Sequence, residues 1–230
     1  MTLQNRVSPF SSIEGTPHHG LFMGNRGCLH DDERHLISQG WRTKSWLICA
    51  LSFQNRRREL MQPRRYTELF FLDEAVAFAA GHRPCAFCRP TAYRAFIDAW
   101  TGAYRVPARA PVLDITLHQE RVSRIRGRKH WQAELGTLPN GTFVVLPWAS
   151  HKAWLKLDDR LLEWSHAGYS HAEHWTDPLM VEVLTPPSIV LTFREGYQPM
   201  LHSSVATIQA REHTSHLYQG GIKERMIWKE

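Results

Sequence analysis

The sequence predicts an α+β protein in which a module of a β-hairpin plus helices is followed by a β-rich domain. Three observations carry this. Two helical patterns flank the stretch GHRPCAFCRP, Gly81 to Pro90. Apolar runs of strand length, Lys44 to Phe53 and Tyr66 to Leu72, precede them. Beyond residue 111, short apolar runs alternate with turn dipeptides such as Asn140-Gly141 and Asp158-Asp159.

In chain order, residues 1–20 are polar and rich in Ser, Pro and Gly, which reads as an arm laid on the surface. Lys44 to Phe53 (KSWLICALSF) is a continuous apolar run, and with Glu59 to Met61 beyond Gln54-Asn55 it predicts a β-hairpin. Pro63 to Arg65 turns the chain, and Tyr66 to Leu72 (YTELFFL) is a third extended segment or the lead-in to a helix. Asp73 is the expected N-cap of an alanine-rich helix, Glu74 to Ala80, stopped by Gly81. Tyr93, Phe96, Ile97 and Trp100 fall at i, i+3, i+4 and i+7 and mark a second helix. Thr101 to Pro111, with Gly102, Pro107 and Pro111, is the best linker. Asn140-Gly141 is then a hairpin signal, and Asp158-Asp159 between Ala153 to Leu157 and Leu161 to Trp164 is another. Val181 to Leu184 and Ile189 to Phe193 flank the turn Thr185 to Ser188, giving a mainly β C-terminal half. The expected organisation is therefore an arm over 1–20, a first domain over 21–105, a β-rich domain over 106–204 and a tail over 205–230.

The 230 residues suffice for one large domain or two small ones. Twenty-eight Lys and Arg against 22 Asp and Glu give a net charge of +6, which fits a nucleic-acid partner, an anionic substrate or a merely solvated basic face. No apolar run reaches the roughly 18 residues of a membrane span, and the first 26 residues lack the apolar core of a secretory signal, so the expected location is the cytoplasm, with no membrane partner. P-loop, dinucleotide, nucleophile-elbow and H-E-x-x-H motifs are absent from the sequence.

Four cysteines are too few for a disulfide scaffold, and two of them, Cys85 and Cys88, stand at C-x2-C spacing. Two thiolates so spaced can turn toward one point about 2.3 Å from a zinc ion, although the spacing also serves redox dithiols. Cys28, in the loop GNRGCLHD, and Cys49, in the first apolar run, complete a C-x20-C-x35-C-x2-C set of four candidate ligands. Cys49 also reads as a small buried hydrophobe, and His30 is an alternative fourth ligand.

RYTELFFLDEAVAFAAGHRPCAFCRP, Arg65 to Pro90, resembles the downstream half of the zinc-binding, cysteine-rich domain of the Ada methylphosphotriester DNA-repair proteins. The matching residues are an aromatic pair (Phe70, Phe71), an alanine-rich helix (Ala75, Ala77, Ala79, Ala80), its stop at Gly81, then Arg83, Pro84, Cys85, Cys88 and Pro90. The resemblance covers about 26 of 230 residues. It implies an Ada-like zinc module and a DNA-repair or DNA-processing context. The family's upstream C-x3-C pair, which includes the methyl acceptor, has no counterpart here, so methyl transfer does not carry over.

Arg56, Arg57, Arg58, Arg64 and Arg65 gather at the expected hairpin tip, with Arg83 and Arg89 flanking the cysteine pair. Arginine forks suit phosphate oxygens, which makes them candidate nucleic-acid contacts, with DNA favoured over RNA. An exposed turn pairing with Glu59 and Glu68 is the plainer alternative. Arg121 to Lys129 would extend the surface or protect a strand edge. His118 and Glu120 are candidate acid–base residues. His166, His171 and His174 are a candidate second metal cluster or a polar loop. Three functions stand open: a zinc protein binding nucleic acid through the Ada-like module; a phosphate-ester hydrolase or nuclease using His118 and Glu120 or the later histidines; and a zinc-stapled protein-interaction module.

Overall fold

The structure, a computed structural model, describes residues 2–55, 59–125, 131–175 and 178–208. The described residues form an α+β fold of two six-stranded sheets with helices packed among them. The first sheet comprises β1 (Gln4–Val7), β2 (Ile13–Gly15), β3 (Phe22–Asn25), β4 (Leu47–Ala50), β5 (Leu69–Phe71) and β6 (Arg83–Pro84), in the order β2-β1-β5-β3-β4-β6. Helix α1 (Glu74–Ala79) separates β5 from β6, and α2 (Pro90–Tyr104) and α3 (Ala110–Ile125) follow. The second sheet is antiparallel throughout, in the order β11-β10-β9-β8-β12-β7: β7 (Trp131–Glu134), β8 (Phe143–Val145), β9 (Trp154–Leu157), β10 (Arg160–Ser165), β11 (Gly168–His174) and β12 (Met180–Val183). Helix α4 (Pro187–Arg194) follows, and residues 204–208 are also helical.

Helix α1 forms where expected. The Asp73 carboxylate accepts the Val76 N–H at 3.0 Å, and Gly81 ends the helix at φ +83°, a backbone conformation that disfavours a side chain. Every α1 residue is buried, so this helix packs on all sides. Phe78 stacks on Phe96 of α2 at 5.4 Å and meets Phe193 of α4 edge-on at 5.3 Å. The same buried cluster holds Val7 and Phe71 from the first sheet and Phe143, Leu155 and Leu162 from the second, so it crosses the expected domain boundary at residue 105. The acidic pair at the start of α1 reaches across as well. Asp73 accepts the Tyr169 hydroxyl at 2.8 Å, and Glu74 accepts the Tyr197 hydroxyl at 2.8 Å.

Several expectations are corrected. Residues 4–15 are not a surface arm, because β1 and β2 form the sheet's edge hairpin and bury Val7 and Ile13. Lys44 to Phe53 supplies one strand, β4, but its partners are β3 and β6 rather than Glu59 to Met61. The linker is shorter than expected: α2 runs through to Tyr104 and α3 begins at Ala110, so Leu117 to Ile125 is helical. Its apolar residues Leu113 and Leu117, one turn apart, are the buried stripe. The rest of the second basic run, 126–129, lies outside the described residues. Asn140-Gly141 turns the chain into β8 rather than tipping a hairpin, and the Asn140 side chain is tied to Asp158 at 2.7 Å. Ile189 to Phe193 is helical because Pro187 occupies the first position of α4, where its fixed φ favours a helix start. In the expected tail, Val205 and Ile208 are buried in the core, and 209–230 lie outside the described residues. No described helix is long and apolar enough to cross a membrane.

Candidate metal centre

Strand β6 lies parallel to β4, with Leu47 opposite Arg83 and Ile48 opposite Pro84. One step further along, the Cys85 N–H donates to the Ile48 carbonyl at 3.0 Å, which places Cys85 beside Cys49. The chain then turns, and α2 starts at Pro90, with the Arg89 N–H bonded back to the Cys85 carbonyl at 3.0 Å. Within the turn, the N–H groups of Phe87 and Cys88 donate to the Cys85 sulfur, and the Ala50 N–H donates to the Cys88 sulfur. Backbone donors of this kind orient thiolate ligands and spread their charge. The Sγ atoms of Cys49, Cys85 and Cys88 all lie within 4.8 Å of one another.

A tetrahedral ion with bonds of about 2.3 Å sets its sulfur ligands about 3.8 Å apart. The three thiols can therefore close on a metal by small side-chain movements. Their acidities are already unequal. A hydrogen bond with Cys85, reinforced by burial, pushes the Cys49 thiol far up, whereas the Cys49 hydrogen bond holds Cys85 down at about 5 against the opposing effect of burial. Burial raises Cys88. Cation binding at three such thiols displaces their protons.

The other two predicted ligands are elsewhere. Cys28 lies beyond the far end of β3 from Met23, the residue paired with Cys49, and its thiol faces the His30 carbonyl at 3.6 Å. His30 has both ring nitrogens engaged: Nδ1 with the Thr67 hydroxyl at 2.6 Å and Nε2 with the Gln62 carbonyl at 3.2 Å. A carbonyl only accepts, so Nε2 carries the proton and Nδ1 accepts from Thr67. His30 is a clamp that holds segment 62–67 in place, not a ligand.

All three thiols of the cluster line a cavity of about 410 Å³, within the range of small-molecule sites. Cys49 and Ala50 at the end of β4, with Leu51 and Phe53 beyond it, line one side; Tyr66, Glu68 and Phe70 line the other, while Thr67, Leu69 and Phe71 turn to the core. Glu68 is almost fully buried and accepts the Met61 N–H at 2.8 Å. Phe87, between the two knuckle cysteines, is 61% exposed and meets Phe53 edge-on at 5.0 Å, forming the rim. From the sequence, Glu68 figures only as a pairing partner for the arginines, and Phe87 is passed over. The period-2 pattern Tyr66, Glu68, Phe70 was the available signal for Glu68, and an exposed Phe inside C-x2-C was the signal for the rim.

The basic candidates divide. Arg83 is buried and forms a two-bond fork with Asp114 of α3, both contacts at 2.8 Å. Arg89 pairs with buried Glu74 at 2.7 Å and lies over the Phe22 ring at 4.3 Å. Neither presents its guanidinium to an external phosphate, because each is committed to a carboxylate across an element junction. Arg64 and Arg65 are exposed, and Glu59 pairs with Arg34. Arg56, Arg57 and Arg58 lie outside the described residues.

The catalytic candidates do not meet. His118 and Glu120 are two residues apart on helix α3 and point in different directions. His118 packs edge-on against Trp41 at 5.1 Å, and burial, with Arg121 and Lys44 nearby, lowers its pKa. The Glu120 carboxylate accepts the N–H of Ser188 at 3.1 Å and its hydroxyl at 2.7 Å, capping the start of α4. The later histidines scatter too: His166 bonds Glu14 at 2.9 Å and His174 bonds Asp159 at 3.2 Å. His171 and His174, three residues apart on β11, face opposite sides. Among the described residues the three cysteines are the one group arranged to hold a metal ion.

No family model matches the chain, and neither does any curated protein or solved structure.

Proposed function

We propose that the protein is a zinc–thiolate protein in which Cys49, Cys85 and Cys88 hold the ion and the cavity gives access to its fourth coordination position. The observation that carries this is the convergence of three sulfurs, within 4.8 Å of one another, on the floor of a cavity that all three line. Soft thiolates select zinc over hard cations, and among divalent ions zinc accepts four-coordinate sulfur sites without a d-electron preference. The Ada-type resemblance of Arg65 to Pro90 points to the same metal. A site closed by four protein ligands is a staple, whereas three ligands and an approach from solvent leave room for a bound molecule. Zinc analysis tests the reading. One zinc per chain is expected, retained in Cys28→Ser and lost in Cys85→Ser and Cys49→Ser. Loss of zinc from a folded Cys28→Ser protein, or its retention in Cys85→Ser, would overturn it.

Exposed Arg64 and Arg65, beside cavity-lining Tyr66, favour a second reading, in which this face contacts nucleic acid, DNA before RNA, in a repair or processing context. The net charge of +6 accords with it. Binding to DNA that weakens steeply between two salt concentrations would support phosphate contacts, and no binding at low salt would end this reading.

A further inference from the structure

We propose that the cavity binds a small thiol with an apolar body, its sulfur completing the metal's coordination and its carbon skeleton lying against Phe53 and Phe87. This rests on the zinc–thiolate reading. Three kinds of observation select the ligand.

The first is the donor set. Cys49, Cys85 and Cys88 give the metal three sulfur donors on the floor of the cavity. A phosphate or carboxylate would have to give up the hydration of a full charge to enter the cavity. A thiol arrives neutral. Its S–H bond breaks as the sulfur–metal bond forms, the proton leaves to water, and no oxidant or reductant is required. Sulfur is also the donor whose softness matches the three already in place.

The second is the shape of the entrance. Leu51 and Phe87 are at least half exposed, and Phe53 stands edge-on to Phe87 at 5.0 Å. Large apolar side chains left in solvent at the mouth of a cavity mark a binding surface. An aromatic pair there fits a ring or a branched alkyl group better than a charged tail.

The third is the firmness of the wall. Segment 62–67 is fastened by His30 through Thr67 and the Gln62 carbonyl, and Met61 is tied to Glu68. A wall held in this way is formed before a ligand arrives, which limits the ordering cost of binding.

The test uses the full chain loaded with cobalt(II), whose sulfur-to-metal charge-transfer band grows with each thiolate bound. Phenylmethanethiol is the apolar probe and 2-mercaptoethanesulfonate the charged one. Phenylmethanethiol should raise the band saturably by about one third, one bond added to three. It should bind about tenfold tighter than the sulfonate, and Phe87→Ala and Leu51→Ala should each erase most of that preference. An unchanged band, equal affinities for the two thiols, removal of the metal by the thiol, or a band already at four-thiolate strength before addition would overturn this proposal alone. A chain that takes up no cobalt or zinc would overturn the metal reading and this one with it.

Discussion

Asp114→Ala isolates the role of Arg83, the arginine just upstream of the knuckle. The fork between Arg83 and Asp114 has two contacts of 2.8 Å, and the side chains are 5% and 14% exposed. Removing the carboxylate leaves a guanidinium inside the protein with only the Pro84 carbonyl at 3.2 Å and the Ser45 hydroxyl at 3.3 Å as acceptors. Breaking one side of a buried ion pair costs about 3–5 kcal/mol, against about 0–1 kcal/mol for an exposed pair. With net stabilities of roughly 5–15 kcal/mol, that is a large share of the whole. At about 2–4 °C per kcal/mol for a chain of this size, the melting temperature should fall by roughly 6–20 °C. Urea unfolding of the zinc-loaded protein measures the cost directly. The double variant Arg83→Met, Asp114→Leu should recover most of it, because no charge is then left buried. A loss below about 1 kcal/mol for Asp114→Ala would refute the argument and return Arg83 to the set of arginines able to meet a phosphate.

Other predictions concern the elements around the site. Gly81→Ala should cost about 1–3 kcal/mol by urea unfolding, since Gly81 has φ +83° and an added Cβ would fall 2.7 Å from Cγ and Cδ of Arg121; a neutral substitution would refute this. Glu120→Ala should cost about 1–2 kcal/mol by removing the cap of α4 while leaving the zinc content unchanged, and a variant of full stability would contradict the capping role. Burial raises the Asp73 carboxyl to about 6, outweighing its hydrogen bonds from Val76, Tyr169 and His202. The folded state therefore holds a proton that the unfolded state has released between about pH 4 and pH 6, and stability falls as pH rises through that window. The stability of the wild type relative to Asp73→Asn should drop by about 2 kcal/mol from pH 4 to pH 7, and a rise instead would refute the assignment.

Features written in neighbouring residues were readable from the sequence. The Asp73 cap, the alanine-rich α1, the stop at Gly81 and the apolar face of α2 depend on contacts within a turn or two, and they are found where the pattern places them. The Asp158-Asp159 turn joins β9 to β10 as its flanking runs predict. Long-range pairing was not readable. The polar composition of residues 1–20 conceals an edge hairpin, since few of its residues that reach the core are apolar: Val7, Ile13 and part-buried Phe10. The four cysteines gave no means of choosing among Cys28, Cys49 and His30, because the choice depends on which strand lies beside β6. Equal arginine side chains became exposed at Arg64 and Arg65, buried at Arg83 and part-buried at Arg89, where Asp114 and Glu74 wait on other elements.

By itself the sequence determined the α+β class, the C-x2-C knuckle and its place between a helix stop and a helix start, because those follow from local backbone preference. Only the tertiary structure decided that Cys49, separated from the knuckle by 35 residues, is the third member of the cluster and that Cys28 is not. It also decided that the cluster opens on a cavity walled by Glu68 and rimmed by Phe87. Both outcomes come from the parallel register of β4 and β6 and from strand alternation in β5, and register is a relation between segments that no single segment encodes.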